Sequence, residues 1–302
     1  MRKRLTVALV ALGAVLLTVS GRAESVSQIQ FQSRYVWNEE FDGFGGLSAI
    51  EVAANGRDFL ALTDRMTLIE GTLLRSGGRI TGVSVQRHKR LQRPKGVTLK
   101  HWKRDSEGLA QQADGAFYVS LERLNQVWRY PRAFGAPTVM SSHPDFHRFA
   151  QNAGIEALAI DRRNRVYAVP EEVPDNHSQL PLYRLNSKGW QILYYIEASD
   201  GFSPVGADFG PDGLFYLLER RFSGIGFRTR LRRFDLNAFD AAGEVLLRTG
   251  IGTHDNLEGL SVWRDDAGLI RLTMIADDNF KFFQTSEIVE YIIAPASDTA
   301  HR

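Results

Sequence analysis

Three glutamates stand at matched places in three look-alike segments: Glu107 in Asp105-Ser106-Glu107-Gly108-Leu109-Ala110, Glu156 in Ile155-Glu156-Ala157-Leu158, and Glu258 in Leu257-Glu258-Gly259-Leu260. Each segment runs through a turn into a second apolar stretch that stops on charge, at Glu122-Arg123, Glu171-Glu172 and Asp277-Asp278. Two further segments stop at Asp64-Arg65 and Glu219-Arg220. Carboxylates gathered in this way suit a hard cation such as calcium, which takes oxygen ligands from side chains, main-chain carbonyls and water. Glu107, Glu156 and Glu258 are the leading ligand candidates, followed by Asp64, Glu122, Glu171 and Asp277. The same residues also fit a structural role, accepting backbone N–H bonds or pairing with neighbouring arginines, and spacing does not separate metal binding from paired acid–base work.

The other chemistry-bearing residues are fewer. Arg65, Arg123 and Arg220 follow or close the stops, and a guanidinium fork fits a phosphate or carboxylate substrate as well as a lattice of Arg–Glu pairs. Glu107 is a candidate acid or base, with His254, four residues before Glu258, and His177, in a loop, as candidate bases. His143 and His147 have helical spacing, but Pro144 between them argues against a zinc helix. There is no cysteine, no Gly-x-Ser-x-Gly elbow, no glycine-rich phosphate loop and no dinucleotide fingerprint. Ser106, beside Glu107 on the proposed rim, is the one serine to test as a nucleophile, and it reads more readily as the polar start of a strand.

The elements that must position these residues repeat. Gly45, Glu107, Glu156, Val205 and Glu258 open five apolar strand–turn–strand cassettes at intervals of 62, 49, 49 and 53 residues. A period near 50 built of short strands predicts an all-β propeller, because one such hairpin cannot bury both faces alone. Third strands follow at 66–74, 126–130, 182–185, 229–234 and 287–293, and fourth strands at 79–86, 137–141, 191–196 and 244–248. The fifth cassette lacks a fourth strand, and the alternating segment Gln28 to Trp37 would supply it, closing the ring and removing two open edges. The count is five blades, with the long first interval leaving room for a sixth. In an antiparallel hairpin the start of one strand lies beside the end of the next, so the glutamates and the charged stops should share one rim. The loops at 142–147, 174–179 and 222–227 should stand over it.

Residues 1–23 read as a signal peptide: Arg2-Lys3-Arg4, an apolar run from Leu5 to Val19, then small residues suited to cleavage after Ala23. The run is short for a membrane span, it is followed by no lipoprotein cysteine, and it predicts a periplasmic or secreted domain over 24–302 with no stable membrane insertion. Cleavage would remove Arg2, Lys3, Arg4 and Arg22 and no acid, turning a net charge of +2 into −2, which argues against nucleic acid as a partner. The basic stretch from His88 to Lys95 reads as a solvated loop, as does Lys100 to Arg104.

The motifs DSEGLA (105–110), NAGIEALAID (152–161), DNLEGLSVW (255–263) and ADDNF (276–280) resemble the bacterial family named for esterase-like activity of phytase. The resemblance spans roughly residues 40 to 293. It implies a secreted or periplasmic β-propeller related in architecture to the calcium-dependent propeller phytases; the expected partner is a small-molecule ester or anionic substrate. Val205-Gly206 and Gly45-Gly46 stand where other cassettes have Glu-Gly, so the acidic ring departs from a full set. The readings that follow are a calcium-dependent hydrolase of phosphate or carboxylic esters at the channel mouth, a lactonase-type calcium propeller, or a non-catalytic propeller that binds a sugar, peptide or protein through its rim loops.

Overall fold

The structure, a computed structural model, describes residues 28–98, 105–150, 153–175, 177–280 and 284–294. The signal segment and residues 99–104, which include the basic stretch from Lys100 to Arg104, lie outside them. Twenty strands form five four-stranded antiparallel sheets. Blade 1 holds β2 (Leu47–Val52), β3 (Asp58–Thr63), β4 (Thr67–Ser76) and β5 (Arg79–Arg90). Blade 2 holds β6 (Ser106–Gln111), β7 (Phe117–Leu121), β8 (Gln126–Tyr130) and the two-residue β9 (Thr138–Val139). Blade 3 holds β10 (Ile155–Ile160), β11 (Val166–Pro170), β12 (Leu180–Asn186) and β13 (Gly189–Ile196), and blade 4 holds β14 (Ser203–Phe209), β15 (Phe215–Phe222), β16 (Phe227–Phe234) and β17 (Glu244–Arg248). Blade 5 is β18 (Asn256–Arg264), β19 (Ile270–Asp277), β20 (Glu287–Ala294) and, as its outer strand, β1 (Gln28–Val36). The N-terminal strand therefore pairs with β20, from Gln28↔Ala294 to Val36↔Glu287, with one register shift between Phe31 and Ser33. No helix among the described residues is long and apolar enough to cross a membrane.

Among the described residues there is no sixth blade. The long first interval is taken up by β4 and β5, a hairpin of 10- and 12-residue strands, and by the connection to blade 2. The inner strands β2, β6, β10, β14 and β18 each lie beside the next around the ring. Five apolar clusters fill the five gaps between neighbouring blades, so there is one core per interface and none on the axis. Between blades 2 and 3, for example, Ala110, Tyr118 and Phe146 pack on Leu158, Val166 and Tyr183. An inner strand is apolar on both faces because it serves two such cores. Leu109 and Val119 point to blade 1 while Ala110 and Tyr118 point to blade 3. This period-2 division makes the repeats readable.

The turns that close each inner hairpin lie at the end of the blades away from the rim. Asn164 takes the left-handed conformation there (φ 57°) in the place where other cassettes use glycine, a conformation asparagine tolerates better than most residues. Between the inner strands a space of only about 10 Å3 remains, lined by residues of all five, about enough for one water. The axis is thus packed shut below the mouth. Gly206 makes the packing close: a Cβ there would sit 2.4 Å from the Glu258 carbonyl oxygen, well inside van der Waals contact. Gly206→Ala is expected to destabilise the fold by about 1–3 kcal/mol, the usual cost of overpacking. A thermal or urea unfolding curve unchanged from the native protein would contradict this packing.

Candidate metal centre at the channel mouth

The rim is built by one irregularity repeated five times. Every inner strand shifts register against its partner near its start: between Leu47 and Ala49, Ser106 and Leu109, Ile155 and Ala157, Pro204 and Gly206, and Leu257 and Gly259. Each is a β-bulge, which inserts an extra residue and re-aims its side chain. The extra residues are Ser48, Glu107, Glu156, Val205 and Glu258. The three glutamates matched in the sequence do share a structural position, and Ser48, not Gly45, is the blade 1 equivalent.

A second ring follows from the strand ends. Thr63, Leu121, Pro170, Glu219 and Ala276 pair with the residues just before the bulges, so the next residues, Asp64, Glu122, Glu171, Arg220 and Asp277, occupy one equivalent place. The sequence match put Glu219 at this position and Arg220 beside Arg65 and Arg123; the structure corrects it by one residue. A slip of one turns a strand residue to the opposite face. Glu219 is accordingly buried away from the mouth between Arg230 and Arg232, with Oε2 2.6 Å from Arg230 Nε and Oε1 2.6 Å from Arg232 Nη2. Arg220 points into the acidic ring.

The ring divides into two parts. On the blade 5 side, Arg220 Nη1 donates to Asn256 Oδ1 (2.6 Å) and to Glu258 Oε1, and Nη2 to Glu171 Oε1 at 3.4 Å. Asn256 Nδ2 also donates to Glu258 (2.7 Å). On the blade 2 and 3 side, ligand oxygens of Asp105, Glu107 and Glu122 lie within 4.8 Å of one another, as do those of Glu122, Glu156 and Glu171. Glu122 belongs to both triads. Asp64 and Asp277 join neither. Of the three leading candidates, Glu107 and Glu156 stand in the triads while Glu258 is engaged by Arg220. Asp105, which residue matching missed, completes one triad. Its trace in the sequence is only its place two residues before Glu107 in DSEGLA; Asp105 precedes β6 and Glu107 sits in the bulge, so strand alternation does not pair them.

Crowding shows in the acidities. Burial and neighbouring carboxylates push Glu107 and Glu156 well above the ordinary range, Glu107 against Glu156 and Glu258, and Glu156 against Glu171 and Glu122. Glu122 is pushed up to about 8 by burial and then by Asp105, and Asp277 to about 8 by burial and then by Glu258. Asp64 and Glu258 rise to about 7, in each case chiefly through burial, with Arg220 opposing the rise at Glu258. Asp64 Oδ1 is also buried without a hydrogen-bond partner among the described residues. This donor set, all oxygen and anionic, fits a hard divalent cation.

Carboxylates near the far ends of the inner strands show the structural alternative. Glu51 of β2 accepts from the Gln111 N–H, and Asp208 of β14 accepts from the Val262 N–H (2.6 Å), each stapling its blade to the next. Glu107 and Glu156 make no such bond, and no ion pair, among the described residues.

The remaining candidates are scattered. Arg123 Nε binds Asp105 Oδ2 at 2.6 Å, and Arg65 lies 3.5 Å over the Phe280 ring, both at the rim's edge. His254 is not beside Glu258. It is buried toward the outer strands, with Nε2 2.7 Å from the Tyr291 hydroxyl, and the ring stacks on Phe31. His177 meets Asp145 (2.9 Å) and Tyr195 on the outer side of blade 3. Ser106 donates to the Thr63 carbonyl and accepts from the Met66 N–H, so its hydroxyl ties blade 2 to blade 1.

A closed ring of five blades, with carboxylates gathered at one end, defines a five-bladed β-propeller. The chain belongs to the phytase-like family described as esterase-like activity of phytase, whose family model matches residues 42–280. Comparison with curated proteins gives no match. Among solved structures, it is similar to the PQQ-bound aldose sugar dehydrogenase of Streptomyces coelicolor (14% identity over 88% of this chain and 98% of that one, TM-score 0.47). It is also similar to virginiamycin B lyase of Staphylococcus aureus (12%, 88% and 100%, TM-score 0.44) and to a gluconolactonase of Xanthomonas campestris (13%, 80% and 71%, TM-score 0.44).

Proposed function

We propose that this chain is an exported, calcium-dependent hydrolase of small phosphate or carboxylic esters that works at the channel mouth. The observation that carries this reading is the pair of carboxylate triads joined through Glu122. Glu122, Glu156 and Glu171, with Asp105, would hold the cation, leaving Glu107 beside it for proton transfer. A divalent cation there supplies Lewis acidity toward an ester oxygen and toward water.

The chain's own groups support the rest. Glu107, held well above the usual carboxylate range, is the candidate to carry a proton near neutrality and deliver it to the leaving alcohol as water adds and the ester bond breaks. Arg65, over the Phe280 ring, and Arg123, paired with Asp105, are the candidates to meet an anionic group of the substrate. His254 and His177 are left without a part in proton transfer, because their contacts lie on the outer strands. The N-terminal segment supports export to the periplasm or the medium.

The test is protein stripped with a chelator and reloaded with calcium, assayed on 4-nitrophenyl esters, phosphate esters and lactones. Turnover should need calcium, and Glu107→Gln should lower it by about 100-fold or more. If no substrate turns over and the melting temperature ignores calcium, the rim is a binding module for a sugar, peptide or protein.

A further inference from the structure

Beside the mouth, a cavity of about 520 Å3 opens between blades 4 and 5. One wall is the β15–β16 hairpin, which runs past Arg220 through the pairs Arg221↔Arg228 and Phe222↔Phe227. The other is the approach to β18, with Gly252, His254 and Asp255, flanked by Arg34 and Thr285.

Three observations make this a built site. The hairpin tip presents Phe222 and Ile225, 62% and 86% exposed, to the opening, where they serve no core. Lining the same cavity, His254 is 6% exposed, and its Nδ1, 3.9 Å from Glu287 Oε1, is buried without a hydrogen-bond partner among the described residues. Such a group calls for an explanation. Burial and then Arg34 hold the imidazole down at about 4, so it is neutral. With Nε2 bonded to Tyr291, Nδ1 offers one hydrogen-bond position, and a hydroxyl can satisfy it in either tautomer. The third observation is position. Asp255 lines the cavity, and the next residue, Asn256, binds Arg220 and Glu258 in the ring. Adjacent Cα atoms are only about 3.8 Å apart, so the cavity adjoins the Arg220–Glu258 side of the ring.

We infer that this cavity receives the apolar part of the substrate: an alkyl or aryl group against Phe222, Ile225 and Phe227, with an oxygen hydrogen-bonded to His254. The substrate class is then an amphipathic ester and not a polyanion. The charged side chains in the cavity wall agree, since Asp255 is acidic and Arg34 is paired with Glu287. Calling the ligand a substrate rests on the hydrolase reading above; its chemical class does not.

The test uses the calcium-loaded protein and a Phe222→Ser/Ile225→Ser double variant, whose exposed positions should leave the melting temperature unchanged. Across 4-nitrophenyl acetate to octanoate, kcat/KM should rise about tenfold or more in the native protein. It should stay flat in the variant. Separately, n-hexanol titrated into chelator-treated, 15N-labelled protein should shift amides of 222–227 and 252–255, and those shifts should vanish in the variant. Acetate turnover with no chain-length preference and no hexanol shifts would overturn the pocket and leave the hydrolase standing. Hexanol shifts at these amides with no ester turned over would uphold the pocket's ligand class and sink the hydrolase. Shifts confined to other amides would also overturn the pocket.

Discussion

Glu122→Gln is expected to move stability in opposite directions with and without calcium, lowering the melting temperature in excess calcium and raising it in chelator. Glu122 is the one carboxylate common to both triads, so its loss weakens every arrangement of ligands on the blade 2 and 3 side. A cation present at a hundred times its dissociation constant stabilises the native state by about 2.7 kcal/mol, and a hundredfold loss of affinity leaves about 0.4 kcal/mol. For a domain of this size the difference corresponds to about 5 °C or more. Without the cation the sign reverses, because the substitution removes one of several buried like charges that raise one another's pKa. A purely structural Glu122 would instead lower the melting temperature in both conditions, and that outcome would remove the metal centre.

The same crowding fixes a pH dependence. Glu122, Asp277, Asp64 and Glu258 are all raised in the folded protein, to about 8, 8, 7 and 7. Between their ordinary values and these, the native state holds more protons than the unfolded state, so its stability falls as pH rises. The metal-free protein should therefore melt several degrees lower at pH 8 than at pH 5. Calcium should remove the slope, since a bound cation favours the ionised carboxylates. A calcium-independent slope would mean that no cation enters the ring.

Most of the fold could be read from period and patterning, and the register could not. The inner hairpins, the outer strands and the closing strand at Gln28 all announce themselves by alternation and turn residues, because each blade must feed two apolar interfaces. What alternation hides is the bulge. It inserts one residue before the regular part of each inner strand, and that shift is invisible to a count of apolar positions. Gly45 therefore looked equivalent to Glu107 when Ser48 is, and Glu219 looked like a rim acid when it is a buried partner of Arg230 and Arg232. Asp105 was missed for a related reason: its triad forms only when the end of β7 brings Glu122 alongside, with the Glu122 N–H on the Asp105 carbonyl at 2.9 Å. His254 misled through sequence proximity. Four residues along a chain entering a strand is enough to carry an imidazole from the rim to the outer strands.

Arg220→Met should produce the largest stability loss of any rim substitution, and the loss should depend on pH. Arg220 is the one basic residue at the five equivalent strand-end positions, and it touches Glu258, Asn256 and Glu171 together. Breaking a largely buried pair from one side leaves the other charge uncompensated, at a cost of about 3–5 kcal/mol. Arg220 holds down Glu258, Glu171 and Glu156, so without it these groups bind protons still more readily. At pH 5 they can neutralise and the penalty should shrink, whereas at pH 8 it should be near its full size, as urea unfolding at the two values would show. Arg220→Lys should recover only part of the loss, because a single ammonium cannot fork between Glu258 and Glu171. Arg220→Met/Glu258→Gln should recover more, since it removes the stranded charge as well. If Arg220→Met unfolds like the native protein at pH 8 but raises KM for an anionic ester, then the guanidinium serves the substrate and the blade 5 side of the ring is held by something else.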